Sequence, residues 1–215
     1  MKDIVIVGAG GFGREVAWLI EEINKKSPEW NIIGFVDDNE SIQGSFINHY
    51  RVIGKIDWLK DKKIHSVIAI SNPLIKQKIF QRLHDTLNQY PVLIHPSVLY
   101  SDTVIFGEGT VICAGNILTV NIKIGKHVSI DRACNIGHDA VLGDYSTLLP
   151  KTIVSGAVTV EECANIGTGA IIIQGIHIGR NTIVGAGAVV VKDLPADCTA
   201  VGIPAKPIKF HKEPS

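Results

Sequence analysis

Apolar residues return at every sixth position from Ile94 to Val190 without a slip, passing through Tyr100, Phe106, Ile112, Ile130, Leu148, Ile166 and Val184. An α-helix repeats every 3.6 residues and an ordinary strand every 2, so neither yields this pattern. A period of six predicts a parallel β-helix of hexapeptide units. The residue after the apolar one is often glycine, as at Gly107, Gly125, Gly137, Gly143, Gly167, Gly179 and Gly185. The fourth residue after it is usually small or β-branched, as at Cys134, Ala140, Thr152, Ala164 and Ala188. In such a prism each coil hydrogen-bonds to the next, and a narrow interior suits stacked Ile, Leu and Val. Tyr100 and Phe106 are larger and are expected to close one open end. A solenoid needs caps at both ends, and the segments before Ile94 and after Pro195 are the candidates.

The first ninety residues follow another pattern. Ile4-Val5-Ile6-Val7 reads as a strand, followed by Gly8-Ala9-Gly10-Gly11-Phe12-Gly13 and a helical run through Val16, Leu19, Ile20 and Ile23. Strands are expected at 31–36, 66–70 and 91–94, the last feeding the prism, with a helix from about Leu74 to Leu87. Alternating β and α segments predict a small parallel sheet with helices on its faces. The expected fold class is an α/β Rossmann-like domain over 1–93, a β-helix over 94–195 and a C-terminal tail or cap over 196–215.

Bulk properties narrow the function. The formal net charge is zero, which gives no long-range attraction to nucleic acid or to a membrane surface. Lys2 and Asp3 lead straight into a short strand and glycines, so no signal peptide is expected. No apolar run approaches the length of a membrane span. Cys113, Cys134, Cys163 and Cys198 form no CxxC pair, and reduced thiols in a cytoplasmic protein are expected.

Two stretches carry candidate chemistry. Gly8-x-Gly10-x-x-Gly13 lies between a strand and a helix, the context in which glycines let backbone N–H groups approach phosphate. Asp37 ends the second strand, about where an acidic residue meets a ribose hydroxyl. The domain has room for only one mononucleotide-binding half, which favours a nucleotide-linked ligand such as a nucleotide sugar over NAD. Asn135-Ile136-Gly137-His138-Asp139 is the second stretch. His138 stands two residues after an interior position, so its ring is expected outside the prism. A histidine can take a proton from an attacking amine or hydroxyl, and a neighbouring carboxylate can fix its tautomer.

With the Gly-Ala-Gly-Gly-x-Gly opening, the Asp37-Asp38 strand end, the hexapeptide prism bearing His-Asp and the tail Val201-Gly202-Ile203-Pro204-Ala205-Lys206-Pro207, nearly the whole chain resembles one family. It is that of the bacillosamine and perosamine N-acetyltransferases, hexapeptide-repeat acyltransferases to which the sialic-acid O-acetyltransferases are related. The resemblance implies left-handed coils of three units. It implies a homotrimer with active sites between prisms, acetyl-CoA along the prism side and a nucleotide-linked amino-sugar on the N-terminal domain.

It also implies site residues. His138 would be the general base, with Asp139 orienting it. Gly10, Gly11, Phe12, Gly13, Asp37, Asp38, Ala69, Ile70, Ser71 and Asn72 fall on segments that hold the nucleotide. Asp131 faces the place where some members carry a sugar-contacting asparagine. Gly156, Ala186 and Gly187 match backbone positions beside the pantetheine arm, with Gly167 and Thr168 on the same cofactor side. Thr147 stands where the bacillosamine enzyme has a second histidine near the acetyl group, and Phe12 where it has one beside the nucleotide. The implied activity is acetyl-CoA-dependent N-acetylation. O-acetylation of sialic acid or a related sugar, and a nucleotide-binding trimer without turnover, remain open. No metal is expected. The related γ-class carbonic anhydrases place a histidine five residues after another, but here that position is Gly143, and Asp139 and Asp144 do not restore a three-histidine set.

Overall fold

The computed structural model describes residues 1–211. β1 (Lys2–Val7), α1 (Gly11–Lys26), β2 (Trp30–Val36), β3 (Phe46–Ile47), β4 (Tyr50–Gly54), β5 (His65–Ile68) and α2 (Pro73–Leu83) form the N-terminal domain. Its sheet has the order β3-β4-β2-β1-β5. β1 pairs in parallel with both β2 and β5. Ile4 to Val7 are 0% exposed, as a strand covered on both faces requires. The β3–β4 hairpin was not foreseen, because its first strand is only two residues long and leaves no alternation to read. α2 stops at Leu83, short of the expected Leu87. There the Thr86 hydroxyl donates to the Leu83 carbonyl at 2.6 Å, a local bond that competes with helical continuation.

β6 (Leu93–Ile94) starts the left-handed β-helix. Every rung is a two-residue strand, and each up to Ile171–Ile172 pairs in parallel with the strand eighteen residues on, as Ile117 does with Asn135. Three faces result. Face one stacks Leu99–Tyr100, Ile117–Leu118, Asn135–Ile136, Ile153–Val154, Ile171–Ile172 and Val189–Val190. Face two runs from Ile105–Phe106 to His177–Ile178, and face three from β6 to Ile183–Val184. The second residue of each rung points inward. Ile112, Ile130, Leu148, Ile166 and Val184 are at most 1% exposed. Burying each is worth roughly 1.5–3 kcal/mol, so these ladders hold together rungs too short to be stable alone.

The corners explain the six-residue beat. Every sixth residue from Gly109 to Gly187 has a positive φ, near +50° to +75°. Only some are glycine, and Asp139 (φ 59°) and His127 (φ 52°) are not. A left-handed residue costs a non-glycine about 1–2 kcal/mol, which the packed ladders offset.

The ends differ in how they close. Tyr100 and Phe106 meet edge to face at 5.3 Å; Phe106 packs on the core, while Tyr100 stays 50% exposed. The segment before Ile94 does more than cap an end. It lies against the side of face three, where Leu93, Val111 and Cys113 join the core formed by β1 and α1. At the other end, the strand Cys198–Gly202 pairs with Ile183–Val184, and Ala205–Phe210 folds back antiparallel on it. Residues 212–215 of the tail lie outside the described residues.

Candidate active site

The catalytic candidates share the corner between faces one and two. The His138 ring lies outside the prism, with 51% of the side chain exposed. Its Nδ1 is 2.8 Å from Oδ2 of Asp139. Asn121, one coil earlier, donates to Oδ1 of Asp139 at 3.2 Å. The hydrogen bonds from His138 and then Asn121 hold the Asp139 carboxyl below its ordinary range. The carboxylate is thus fixed from two sides and in turn fixes the imidazole through Nδ1, with Nε2 the ring nitrogen that faces Gly156.

Gly156 lies one coil on. A β-carbon there would overlap Nε2 of His138 and come within 2.6 Å of Cε1, so only glycine leaves the ring its place. Gly137 is equally constrained, since its β-carbon would lie 2.6 Å from the Gly156 nitrogen. Among the described residues the Gly156 N–H meets no acceptor. A base and a backbone donor therefore stand side by side on one outer corner.

Of the expected cofactor positions, Gly156 lies at the His138 corner, while Gly167, Thr168, Ala186 and Gly187 occupy a different corner, between faces three and one. Gly187 donates to the Thr168 carbonyl at 2.8 Å, and a β-carbon on Gly167 would meet the Ala186 nitrogen at 2.5 Å. Gly167, Thr168, Ala186 and Gly187 thus form one stack. Face one separates it from His138. Face one carries an outward aliphatic row, interrupted by the exposed Asn135: Leu99 is 65% exposed, Ile117 43% and Ile153 39%.

Thr147 does not join the cofactor stack. It points outward, but from face three, which the N-terminal domain covers. It is 2% exposed, and its hydroxyl lies 3.1 Å from Nζ of Lys76. Asp131 is also largely covered, at 7% exposure, and accepts from the Arg132 backbone N–H at 2.7 Å. Arg132 bridges on to Glu15 of α1 at 3.1 Å. Burial, then Asp131, raises the Glu15 carboxyl. Asp131 therefore sits where the glycine-rich end of α1 meets the prism.

The nucleotide candidates gather at the carboxyl ends of β1, β2 and β5, the crevice where doubly wound sheets bind ligands. A β-carbon on Gly13 would overlap the Gly8 carbonyl oxygen, whereas those on Gly10 and Gly11 meet nothing closer than 3.9 Å. The first glycine-bearing turn is thus closed on its inner side and open outward. Phe12 is half-buried against the domain core. The first turn of α1 carries no acidic side chain of its own, so no carboxylate of the helix neutralises its N–H pole.

Asp37 accepts from Ala9 N–H and Asn39 N–H, both at 2.9 Å, which ties the glycine loop to β2. Asn72 caps α2 by accepting from Ile75 N–H at 3.1 Å. Ser71, beside it, is exposed. Asp38 turns to other work: it pairs with Arg82 at 2.6 Å and accepts from Ile56 N–H at 3.1 Å, so both its oxygens are engaged away from the loop. Two basic residues escaped sequence reasoning. Arg14 lies in the first turn of α1 on a cleft of about 350 Å³ shared with Gly11, Glu15, Trp18 and Asn48, and Lys76 is wholly buried. Among the described residues no three His, Cys, Asp or Glu side chains gather as a metal site would, and no helix is long and apolar enough to cross a membrane.

Comparison with known proteins gives a consistent result. Residues 3–83 match the PglD N-terminal domain. The chain is 33% identical over 216 aligned positions to a GDP-perosamine N-acetyltransferase of Escherichia coli O157:H7, covering 95% of each chain. The acetyltransferase domain of PglB from Neisseria gonorrhoeae FA1090, solved with acetyl coenzyme A, superposes with a TM-score of 0.88 and 31% identity, over 96% of this chain and 99% of that one. PerB from Caulobacter crescentus, solved with CoA and GDP-perosamine, gives 0.87 and 30%, over 97% and 98%.

Proposed function

The chain belongs to the sugar N-acetyltransferase family that includes the GDP-perosamine enzyme, and from that premise we propose how its own residues divide the reaction. It is an acetyl-CoA-dependent N-acetyltransferase of a nucleotide-linked amino-sugar. The observation that carries the mechanism is the outward His138–Asp139 pair seated over Gly156.

As the sugar amine adds to the thioester carbonyl, Nε2 of His138 takes its proton. Asp139 accepts from Nδ1–H, holding the tautomer and stabilising the imidazolium. The carbonyl oxygen becomes an oxyanion, toward which the Gly156 N–H donates. When the tetrahedral adduct collapses, the C–S bond breaks, the amide remains on the sugar, and the CoA thiolate takes the proton back from His138.

Gly10 to Gly13 and the N-terminal pole of α1 would face the diphosphate, with Asp37, Ser71 and Asn72 around the nucleoside and Asp131 toward the sugar. The Gly167, Thr168, Ala186 and Gly187 stack would line the pantetheine arm. One chain holds this stack and His138 on opposite edges of face one, whose exposed aliphatic row is suited to packing against another prism. This supports a homotrimer in which neighbouring chains complete each site. A cytoplasmic setting fits the four unpaired thiols.

Thioester consumption followed with a thiol-reactive dye, across GDP-, UDP- and dTDP-linked amino-sugars, tests the reading. Turnover with one of them is expected. Acetylation of a free sugar hydroxyl, with no turnover of any nucleotide-linked amine, would overturn it.

A further inference from the structure

Among the described residues Lys76 is the one lysine buried completely, at 0% exposure. No carboxylate among them pairs with it. Its Nζ instead meets three acceptors, all on the prism: the His127 carbonyl at 2.9 Å, Ser129 Oγ at 2.8 Å and Thr147 Oγ1 at 3.1 Å. Three acceptors match the three N–H donors of an ammonium. Two of them are hydroxyls, which can rotate to donate to a neutral amine, so the site satisfies either protonation state. Ser129 and Thr147 stand opposite one another in consecutive coils of face three, and the amine spans them.

The other end of the side chain sits in the first turn of α2. Lys76 N–H donates to the Asn72 carbonyl at 3.0 Å, and Asn72 caps the same turn through Ile75. Around the amine, the His127 ring stacks on Tyr145 at 5.7 Å and 1° and packs on Phe80 at 4.5 Å, closing the junction to solvent. A group so enclosed touches neither substrate nor cofactor. Its effect must pass through what it holds.

We propose that Lys76 is a positioning residue for the nucleotide-sugar half of the site: it pins the first turn of α2, and with it the Ser71–Asn72 loop, to the prism. The inference rests on the reading of that loop as part of the nucleotide site. It also accounts for Thr147, whose hydroxyl is an acceptor in this joint and not a wall of the cofactor groove.

The test is Lys76→Met in the full chain, which keeps the length of the side chain and removes the donor. KM for the nucleotide sugar is expected to rise about 3- to 10-fold, the net worth of about one hydrogen bond, while KM for acetyl-CoA stays unchanged. Amide hydrogen exchange of residues 72–76 should quicken, with the prism amides unaffected. Unchanged exchange in that turn, or a parallel rise in both KM values, would overturn the proposal. Should Lys76→Met fail to fold, Thr147→Val and Ser129→Ala each remove one acceptor and must show the same split. The exchange measurement needs no turnover, so a wild-type enzyme inactive on every nucleotide sugar would refute the functional reading and leave the joint to be judged separately.

Discussion

Gly156 and the imidazole of His138 occupy adjoining coils so closely that a single methyl group on the glycine would overlap the ring. The backbone at Gly156 is not in the left-handed region, so its dihedral angles admit alanine, and the three atoms nearest to an added β-carbon all belong to the His138 ring. Gly156→Ala should displace the ring and lower kcat by about 10²-fold, the usual cost of a misplaced catalytic group, with little change in thermal midpoint. Parallel steady-state kinetics and thermal unfolding check it; an active variant would remove Gly156 from the site.

His138→Ala should lower kcat by about 10²–10⁴-fold, the range for loss of a general base, in a protein that still folds. Asp139→Asn should cost less, because the amide can still accept from Nδ1–H. Asparagine also tolerates the left-handed corner at φ 59°, so unfolding curves should coincide with wild type. A larger loss for Asp139→Asn than for His138→Ala would invalidate the assignment of roles.

Lys76 gives the fold a pH dependence of definite sign. Burial pushes its amine from 10.5 down to about 7. Between those values the unfolded chain holds a proton that the folded chain lacks, so stability rises with pH across the window and is level below it. The ionisable neighbours at the joint are His127, pushed down to about 4, Cys163, raised to about 11, and Tyr145, raised to about 12. Glu108, Lys126, Asp144 and Glu162 lie at its rim. The urea midpoint should therefore climb from pH 7 to about 8.5, before the thiols, whose effect has the opposite sign, begin to titrate in the unfolded chain. Lys76→Met should flatten that climb.

The aliphatic row on face one makes a separate prediction. Ile153→Asp places a charge on the outer side of face one, between Asn135 and the half-buried Ile171, without touching the interior ladder. Light scattering should then report the 23.2 kDa chain alone, and activity should vanish with the assembly while far-UV dichroism persists. An active monomer would show that one chain suffices.

Asp38→Asn tests the pairing with Arg82 that the structure gives this residue. It weakens the contact with Arg82, which also holds Asp57 at 2.7 Å. These groups are partly exposed, so about 1 kcal/mol or less is expected, seen as a lower thermal midpoint with KM for the nucleotide sugar unchanged.

The prism was legible because its interior admits one kind of side chain at one spacing, and every inward position from Ile112 onward obeys. The outward ring of His138 and its contact with Asp139 were legible because His138 stands two residues after an inward position and adjoins a carboxylate. Lys76 was hidden: in Pro73-Leu74-Ile75-Lys76-Gln77-Lys78 it reads as one of two solvated lysines, and only the docking of α2 on face three buries it. Thr147 misled for the same reason. Its place in the repeat says outward, but not which outward face the N-terminal domain covers. Asp37 and Asp38 adjoin in sequence yet diverge, one bracing the glycine loop and the other pairing with Arg82.

The eighteen-residue spacing between stacked rungs makes the molecule behave like a ratchet with three stops per revolution. Excising one hexapeptide between His138 and Gly156 would leave each later ladder with equally good aliphatic partners. It would also turn everything downstream by one stop, carrying Gly167, Thr168, Ala186 and Gly187 to another side. Excising a complete turn would merely shorten the stack. Length changes along this lineage should therefore come in whole revolutions wherever chemistry is retained.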